Sequence, residues 1–186
     1  MKRPRSQSRT RTLALAALGA VSIAATAGAS HIPGKPCSDC TSHKYWPTIT
    51  GDIKKAGSGA VTYRGTSRPD ELLGHHGSDD IRGGEGSDVL WGDWDPKGQP
   101  STQKDLIYGG NGTDFIYGSH GYNEVYGGNG NDVISVHYGR GRVDCGPGRD
   151  VYHVPRSRKG KYRFIRCEKV DYRPESVRGG PLKPLS

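Results

Sequence analysis

The chain has 186 residues, and 27 Lys and Arg against 19 Asp and Glu give it a formal charge of +8. Leu, Ile, Val and Phe together number only 31, whereas Gly alone numbers 29. A thick core of large side chains is therefore excluded, and with it most enzyme folds of this size. Such a composition is typical of a disordered chain, and a basic balance is typical of a protein that binds nucleic acid or anionic surfaces.

The first 29 residues have the layout of a secretory signal peptide. Five Lys or Arg precede residue 12 with no acidic residue, an apolar run follows over 13–25, and Ala27 and Ala29 suit cleavage. The run is shorter than the roughly 20 residues that a membrane span needs, and no second long apolar stretch follows. We therefore predict an extracellular protein, secreted through an N-terminal signal peptide, with no transmembrane segment.

Residues 30–64 are predicted to form an N-terminal cap or linker. They contain Cys37 and Cys40 in a C-x-x-C pattern. A thioredoxin-like redox site needs a βαβ context that is not visible here, and a zinc site needs a second pair of ligands. In an oxidising compartment, a local disulfide between these two cysteines is the favoured interpretation.

Residues 65–153 repeat with a period of nine. The units follow one another in steps of nine residues, except for one step of 17 that contains an eight-residue insertion near 92–104. The unit is G-G-x-G-x-D-x-U-x, in which U is a large aliphatic residue. Seven of the nine units have an aspartate at the sixth position, and these are Asp70, Asp79, Asp88, Asp105, Asp114, Asp132 and Asp150.

One inward aliphatic side chain per nine residues predicts a short strand and a turn in each unit, with two units in each coil. Stacked coils form parallel ladders about 4.8 Å apart. Aspartates of successive coils then face each other across about twice a Ca²⁺–O distance of ~2.3–2.6 Å. Glycines accept positive φ, which lets the turn aim its carbonyl oxygens at one spot. These hard oxygen ligands favour Ca²⁺ over zinc or copper.

The repeat resembles the hemolysin-type calcium-binding repeat of the RTX proteins. Residues 83–91, 109–117 and 127–135 are clean copies, and residues 70–88 resemble the longer signature of that family. The resemblance implies an all-β fold, a right-handed parallel β-roll (a β-solenoid) with short end caps, which folds on binding about three to five calcium ions. The implied metal ligands are the seven aspartates together with the glycines Gly84, Gly86, Gly110, Gly112, Gly128 and Gly130.

Successive turns alternate between two sides of the predicted roll. One side collects Asp70, Asp88, Asp114, Asp132 and Asp150, whereas the other collects Asp79 and Asp105 and then the non-acidic Asn123 and Gly141. We predict three good sites on the first side, at Asp88/Asp114, Asp114/Asp132 and Asp132/Asp150. A weaker site is expected at Asp70/Asp88, and at most one on the second side, at Asp79/Asp105.

Residues 154–186 are predicted to form a basic C-terminal cap strand followed by a frayed tail. The pattern around Cys145 and Cys167 resembles the terminal unit of RTX-type proteins exported by actinobacteria. This resemblance implies a Cys145–Cys167 disulfide that holds the capping strand on the open end of the roll, where a solenoid exposes its core.

The charge is unevenly distributed, with a net −7 over 65–153 and +7 over 154–186. The overall charge therefore does not indicate a nucleic-acid partner, and none is expected. We predict calcium ion binding and no enzymatic activity. One alternative is a calcium-dependent adhesin that contacts a cell-wall or surface glycan or protein through the basic tail or the loop with Trp91 and Trp94. A small secreted hydrolase is the other alternative.

Overall fold

The computed structural model describes residues 45–95, 98, 100–173 and 182–185. In these residues the chain winds alternately through two sheets of parallel strands. The odd-numbered strands form a seven-stranded sheet in the order β1-β3-β5-β7-β9-β11-β13, and the even-numbered strands form a six-stranded sheet in the order β12-β10-β8-β6-β4-β2. This is a parallel β-roll, and the predicted all-β solenoid is confirmed. The predicted signal peptide and the Cys37/Cys40 pair lie outside the described residues.

The strands of the seven-stranded sheet are short. They are β1 Ile53–Lys55, β3 Glu71–Leu73, β5 Val89–Trp91, β7 Phe115–Tyr117, β9 Val133–Ser135, β11 Val151–His153 and β13 Lys169–Asp171. The six-stranded sheet consists of β2 Thr62–Arg64, β4 Asp80–Glu85, β6 Lys104–Asn111, β8 Tyr122–Asn129, β10 Arg140–Asp144 and β12 Tyr162–Ile165. A 3-10 helix, Arg156–Lys161, precedes β12. No helix in the described part of the chain is long and apolar enough to cross a membrane.

The register of the strands follows the nine-residue repeat. Leu72 pairs with Leu90 in the next coil, and Ile81 pairs with Ile107. The second step is longer in sequence because the insertion lies between β5 and β6. The extra residues leave the ladder and return to it in phase, so position eight faces inward in every coil.

Position eight supplies the core between the two sheets. Its aliphatic side chains are 0% exposed, and they are Leu72, Ile81, Leu90, Ile107, Ile116, Val125, Ile134 and Val143. Toward the C-terminal end, Val136, Cys145 and Val154 occupy the first position of their units and fill the same core. A core this narrow needs few large residues, which explains how a chain of this composition can fold.

The seven-stranded sheet is also buried on its outer face. Side chains at positions seven and nine form a second apolar cluster, which includes Leu73, Val89, Trp91, Phe115, Val133 and Val151. Segments 45–49 and 182–185 cover this cluster. Trp46 Nε1 donates a hydrogen bond to the Tyr117 hydroxyl at 2.9 Å, and Asn131 Nδ2 donates one to the Leu185 carbonyl at 2.9 Å.

The cover on the outer face was not predicted from the sequence. The available signal was the unbroken apolar triplet in strands such as β5 (VLW), which is typical of strands that are buried on both faces. The alternation expected for a strand with one solvated face is absent there. Leu182 and Leu185, near the end of the predicted frayed tail, therefore pack against the sheet.

The roll extends by further strands beyond the repeats. At the N-terminal end, β1 and β2 pair with β3 and β4, and at the C-terminal end β12 and β13 pair with β10 and β11. Cys145 and Cys167 form a disulfide with a Cα–Cα distance of 5.1 Å and a sequence separation of 22. The structure thus contains the disulfide that the sequence predicted, and it joins the last coil to the coil before it.

We predict that replacing both Cys145 and Cys167 by Ser lowers the free energy of unfolding by about 3 kcal/mol. A disulfide that closes a loop of this length removes about that much chain entropy from the unfolded state. Thermal unfolding of the double variant and the unaltered protein, followed by circular dichroism in calcium, measures the loss. Coincident unfolding curves would contradict a stabilising role for this disulfide.

Candidate metal centre

Five turns of the repeat stack along one side of the roll, each leading from an even-numbered strand to the next odd-numbered one. We call them the first row, and they comprise residues 65–70, 83–88, 109–114, 127–132 and 145–150. Each turn ends in its sixth-position aspartate, and all five of these side chains are 0% exposed. The structure thus brings the five predicted first-side aspartates into one buried line.

The backbone N–H of each first-row aspartate, up to Asp132, donates a hydrogen bond to the carboxylate of the aspartate in the next coil. The Asp88 N–H donates to Asp114 Oδ1 at 2.8 Å, and the Asp114 N–H donates to Asp132 Oδ1 at 2.9 Å. The same bond joins Asp70 to Asp88 and Asp132 to Asp150, each at 2.8 Å. One carboxylate oxygen per aspartate is therefore used to hold successive coils in register.

This ladder is longer than the sequence predicted. The Asp52 N–H donates to Asp70 Oδ1, and the Asp150 N–H donates to Glu168 Oε2 at 2.8 Å. Sequence reasoning missed both end residues because their turns lack the glycines of the repeat. The available signal was spacing alone, since Asp52 and Glu168 each lie 18 residues from the nearest first-row aspartate.

The other carboxylate oxygen has no hydrogen-bond partner in four of the five aspartates. Oδ2 of Asp88, Asp114, Asp132 and Asp150 is buried and unpaired. Asp70 differs, because the Thr66 N–H donates to its Oδ2 at 2.6 Å. A buried carboxylate oxygen without a partner is costly unless a proton or a cation neutralises the group.

Beside Oδ2 of Asp88, Asp114 and Asp132, space is left open because the first position of each turn is glycine. A Cβ on Gly83 would overlap Asp88 Oδ2 and would lie 2.6 Å from the carbonyl oxygen of Gly109 in the next coil. The same arrangement recurs at Gly109 and Gly127. A carboxylate oxygen and a carbonyl oxygen from two coils therefore converge on a space that a larger residue would fill.

Glycines at positions two and four direct their carbonyl oxygens toward the next coil. The φ angle is 108° at Gly84 and 106° at Gly86, a region that L side chains rarely adopt. A Cβ on the matching glycine of the next coil would overlap their carbonyl oxygens. The same conformation and approach recur at the other predicted glycines, Gly110, Gly112, Gly128 and Gly130.

Burial raises the pKa values of Asp88, Asp114, Asp132 and Asp150 well above the ordinary value for aspartate. The pKa of Asp114 rises to about 8, those of Asp88 and Asp132 to about 7, and that of Asp150 to about 6. Desolvation is the largest cause, and the neighbouring carboxylates raise the values further. No basic side chain contributes to these shifts, so the row holds negative charge without a counter-charge from the described protein.

In the part of the chain that the structure describes, no three His, Cys, Asp or Glu side chains converge as a ready-made metal cage. Each gap between first-row turns instead offers carboxylate oxygens and backbone carbonyl oxygens from two coils. An oxygen-only donor set with many carbonyls fits calcium, whereas zinc and copper take nitrogen and sulfur.

The turns on the opposite side, from each odd-numbered strand to the next even-numbered one, form the second row. Here both carboxylate oxygens of Asp79 and of Asp105 accept hydrogen bonds from the protein. The N–H groups of Val61 and His75 donate to Asp79 at 2.8 and 3.2 Å. Asp105 accepts from the Asp79 N–H at 3.0 Å and from the Ser119 hydroxyl. Asp79 and Asp105 thus lack the unpaired oxygens of the first row.

Toward the C-terminal end, the second row loses its acidic sixth position. Asn123 Nδ2 donates to the Tyr162 hydroxyl at 3.0 Å, and Tyr162 in turn donates to the Tyr138 carbonyl at 2.6 Å. Gly141 lies between Asn123 and Tyr162 in the strand ladder and has no side chain. Tyr162 therefore closes this end of the row with a ring that is 6% exposed.

Trp91 is the last residue of β5, so only Trp94 of the two tryptophans lies in the insertion loop, and both contact other residues of the protein. The Trp91 ring stacks on Tyr117 at 4.0 Å between centroids. Trp94 Nε1 donates to the Ala56 carbonyl at 2.9 Å, and Lys55 Nζ lies 3.7 Å from the Trp94 ring centroid. Both indole rings are therefore held by contacts within the molecule.

The fold and the first row together define a parallel β-roll whose stacked glycine–aspartate turns gather oxygens between coils. A family model of the RTX calcium-binding nonapeptide repeat, in four copies, matches residues 62–95 and 102–135. The chain therefore carries RTX-type repeats, and these repeats build its β-roll. Comparison with curated proteins gave no match, and neither did comparison with solved structures.

We predict that Gly109→Ala destabilises the roll by at least about 2 kcal/mol, since overpacking of this kind typically costs about 1–3 kcal/mol. The new Cβ would overlap Asp114 Oδ2 and the Gly127 carbonyl, which are both held by the fold. Gly57→Ala is the matched control, because a Cβ there would meet nothing within 4 Å. Equal midpoints of unfolding in urea for the two variants would contradict the close approach.

We predict that, in the presence of a chelator, the roll loses stability as the pH rises from about 4 to about 8. The pKa of Asp114 is about 8 in the folded chain, against an ordinary value of 3.8, so the folded chain binds more protons across this window. The stabilisation is complete below the lower value and disappears as the pH passes the higher one. The folded fraction in chelator, measured by circular dichroism across this range, tests the direction, and a folded fraction that rises with pH would contradict it.

Proposed function

We propose that this protein binds calcium ions between the coils of the first row and folds because it binds them. The observation that carries the proposal is the line of buried carboxylate oxygens at Asp88, Asp114, Asp132 and Asp150 that have no hydrogen-bond partner. A divalent cation supplies the positive charge that the described residues do not, and the unpaired carboxylate oxygens coordinate it.

The strongest sites are assigned to the gaps Asp88/Asp114, Asp114/Asp132 and Asp132/Asp150. The aspartates of each gap provide carboxylate oxygens, and the carbonyls of the glycines at positions two and four complete the donor set. The gap Asp70/Asp88 is weaker, since Thr66 already bonds the free oxygen of Asp70. Asp79 and Asp105 form a weaker site in the second row, since protein donors already bond them.

Calcium acts as a structural ligand in this proposal, and no catalytic role is assigned to the chain. Bound calcium neutralises stacked carboxylates that would otherwise have to stay protonated or repel one another. Each site that binds only the folded chain stabilises it by RT ln(1 + [Ca²⁺]/Kd), about 2.7 kcal/mol at a hundredfold excess over Kd. Several such sites together contribute substantially to the stability of a fold whose hydrophobic core is narrow.

An extracellular location supports this linkage. The signal-peptide layout of residues 1–29 and the Cys145–Cys167 disulfide both suit an oxidising compartment. Calcium modules that work outside cells bind with Kd values of about 10⁻⁴–10⁻³ M. A chain with such sites stays open where calcium is scarce and folds where calcium is abundant.

We expect Asp132→Asn to remove at least one calcium ion per chain and to shift calcium-induced folding to higher calcium. The amide keeps the acceptor for the Asp114 N–H but removes the charge. Isothermal titration and circular dichroism on the full chain measure both effects. Asp80→Asn is the matched control, because Asp80 lies outside the rows and pairs with Arg82 at 2.9 Å.

Two outcomes would overturn the proposal. The first is an absence of calcium binding by the unaltered protein at concentrations up to about the millimolar range. The second is an equal effect of Asp132→Asn and Asp80→Asn on the calcium midpoint, because the first-row position would then carry no special role.

A further inference from the structure

Asp93 is a buried carboxylate that the nine-residue repeat does not explain. It lies in the insertion, at the second position of its turn, where the clean copies of the repeat have glycine. Its side chain is 4% exposed, and its Oδ1 atom has no hydrogen-bond partner. Its Oδ2 atom accepts a hydrogen bond from Gln103 Nε2. One oxygen of Asp93 is therefore buried without a donor.

The Ser119 hydroxyl lies among several oxygen atoms. Ser119 Oγ contacts Asp105 Oδ2, lies 2.9 Å from Asn123 Oδ1 and lies 3.1 Å from the His120 carbonyl oxygen. A hydroxyl carries one proton, so at most one of these oxygens receives it. Asn123 Oδ1 also accepts a hydrogen bond from the Ser119 N–H at 2.8 Å, and the orientation of the amide is fixed because its nitrogen donates to the Ser119 carbonyl and to Tyr162.

These oxygens lie beside Asp93. A Cβ on Gly92, the residue before it, would lie 3.1 Å from Ser119 Oγ and 3.3 Å from Asp105 Oδ2. Desolvation, followed by the charge of Asp105, raises the pKa of Asp93 to about 8. No basic group contributes to that shift. The cluster is rich in oxygen, buried and without a counter-charge.

We propose that Asp93, Asp105, Ser119 and Asn123 form a further site for a hard divalent cation such as calcium, in the second row. The site lies where the sixth position changes from Asp105 to the neutral Asn123, and the carboxylate that the repeat lacks there is supplied by the insertion. It rests on the proposed function in using the same cation, but it uses no first-row residue.

A cation accounts for what a proton leaves unexplained. A proton on Asp93 would neutralise that carboxylate, but the buried Asp105 beside it would still have no basic group to balance its charge. An ion coordinated by two carboxylates, a hydroxyl and an amide oxygen satisfies both groups at once. The donor set contains no nitrogen or sulfur, which favours calcium over zinc or copper.

Terbium is a suitable probe, because it takes oxygen ligands as calcium does and Trp91 and Trp94 flank Asp93 in the sequence. We expect Asp93→Asn in the full chain to bind one calcium ion fewer and to lose most of the terbium emission excited through tryptophan. Asp95→Asn is the matched control, because it makes the same charge change in the same loop. It should retain the ion count and the emission of the unaltered protein.

Ser119→Ala provides a second variant that leaves the net charge unchanged, and it should weaken the same ion. Circular dichroism in saturating calcium verifies that each variant is folded. An unchanged ion count and unchanged emission in folded Asp93→Asn would overturn the proposal and would leave Asp93 as a protonated acid only.

Asp132→Asn separates this proposal from the proposed function. That variant should lose a first-row ion and keep the tryptophan-sensitised emission. If the unaltered protein bound only the ion that depends on Asp93, the first-row function would fail and the second-row site would stand.

Discussion

The structure depends on a carboxylate that is buried between two coils and uses its two oxygens differently. One oxygen accepts a backbone hydrogen bond from the preceding coil and fixes the register of the roll. The other has no partner and faces a carbonyl of the following coil. The same residue therefore specifies the fold and creates the need for a cation. Ligand binding and folding are coupled at the level of a single side chain.

The two rows of turns meet this constraint in different ways. In the first row, no protein donor reaches Oδ2 of Asp88, Asp114 or Asp132. In the second row, two residues at the second position of their turns are donors: the His75 N–H donates to Asp79, and the Ser119 hydroxyl donates to Asp105. Thr66 does the same for Asp70 at the start of the first row. A donor at the second position therefore replaces part of what an ion would supply.

The narrow core and the uneven charge follow from the same architecture. The roll buries one file of aliphatic side chains from each sheet, and the acidic turns lie along its flanks. The second apolar cluster adds burial on the outer face of the seven-stranded sheet, with Trp46 and Leu182 among the residues that cover it. The protein is thus more than an isolated stack of repeats, because segments near both ends of the chain contribute to its packing.

The sequence by itself determined the repeat, the parallel roll, the inward position eight and the alternation of the turns between two sides. It did so because, in a strict period of nine, position eight of each unit faces the core and position six ends each turn. The tertiary structure alone placed Asp52 and Glu168 in the ladder, since their turns lack the glycines of the repeat. It also decided that Thr66 bonds Asp70 and that Asp93 lies beside Asp105. Those contacts join residues through the stacking of coils and the path of an insertion, which a linear period does not encode.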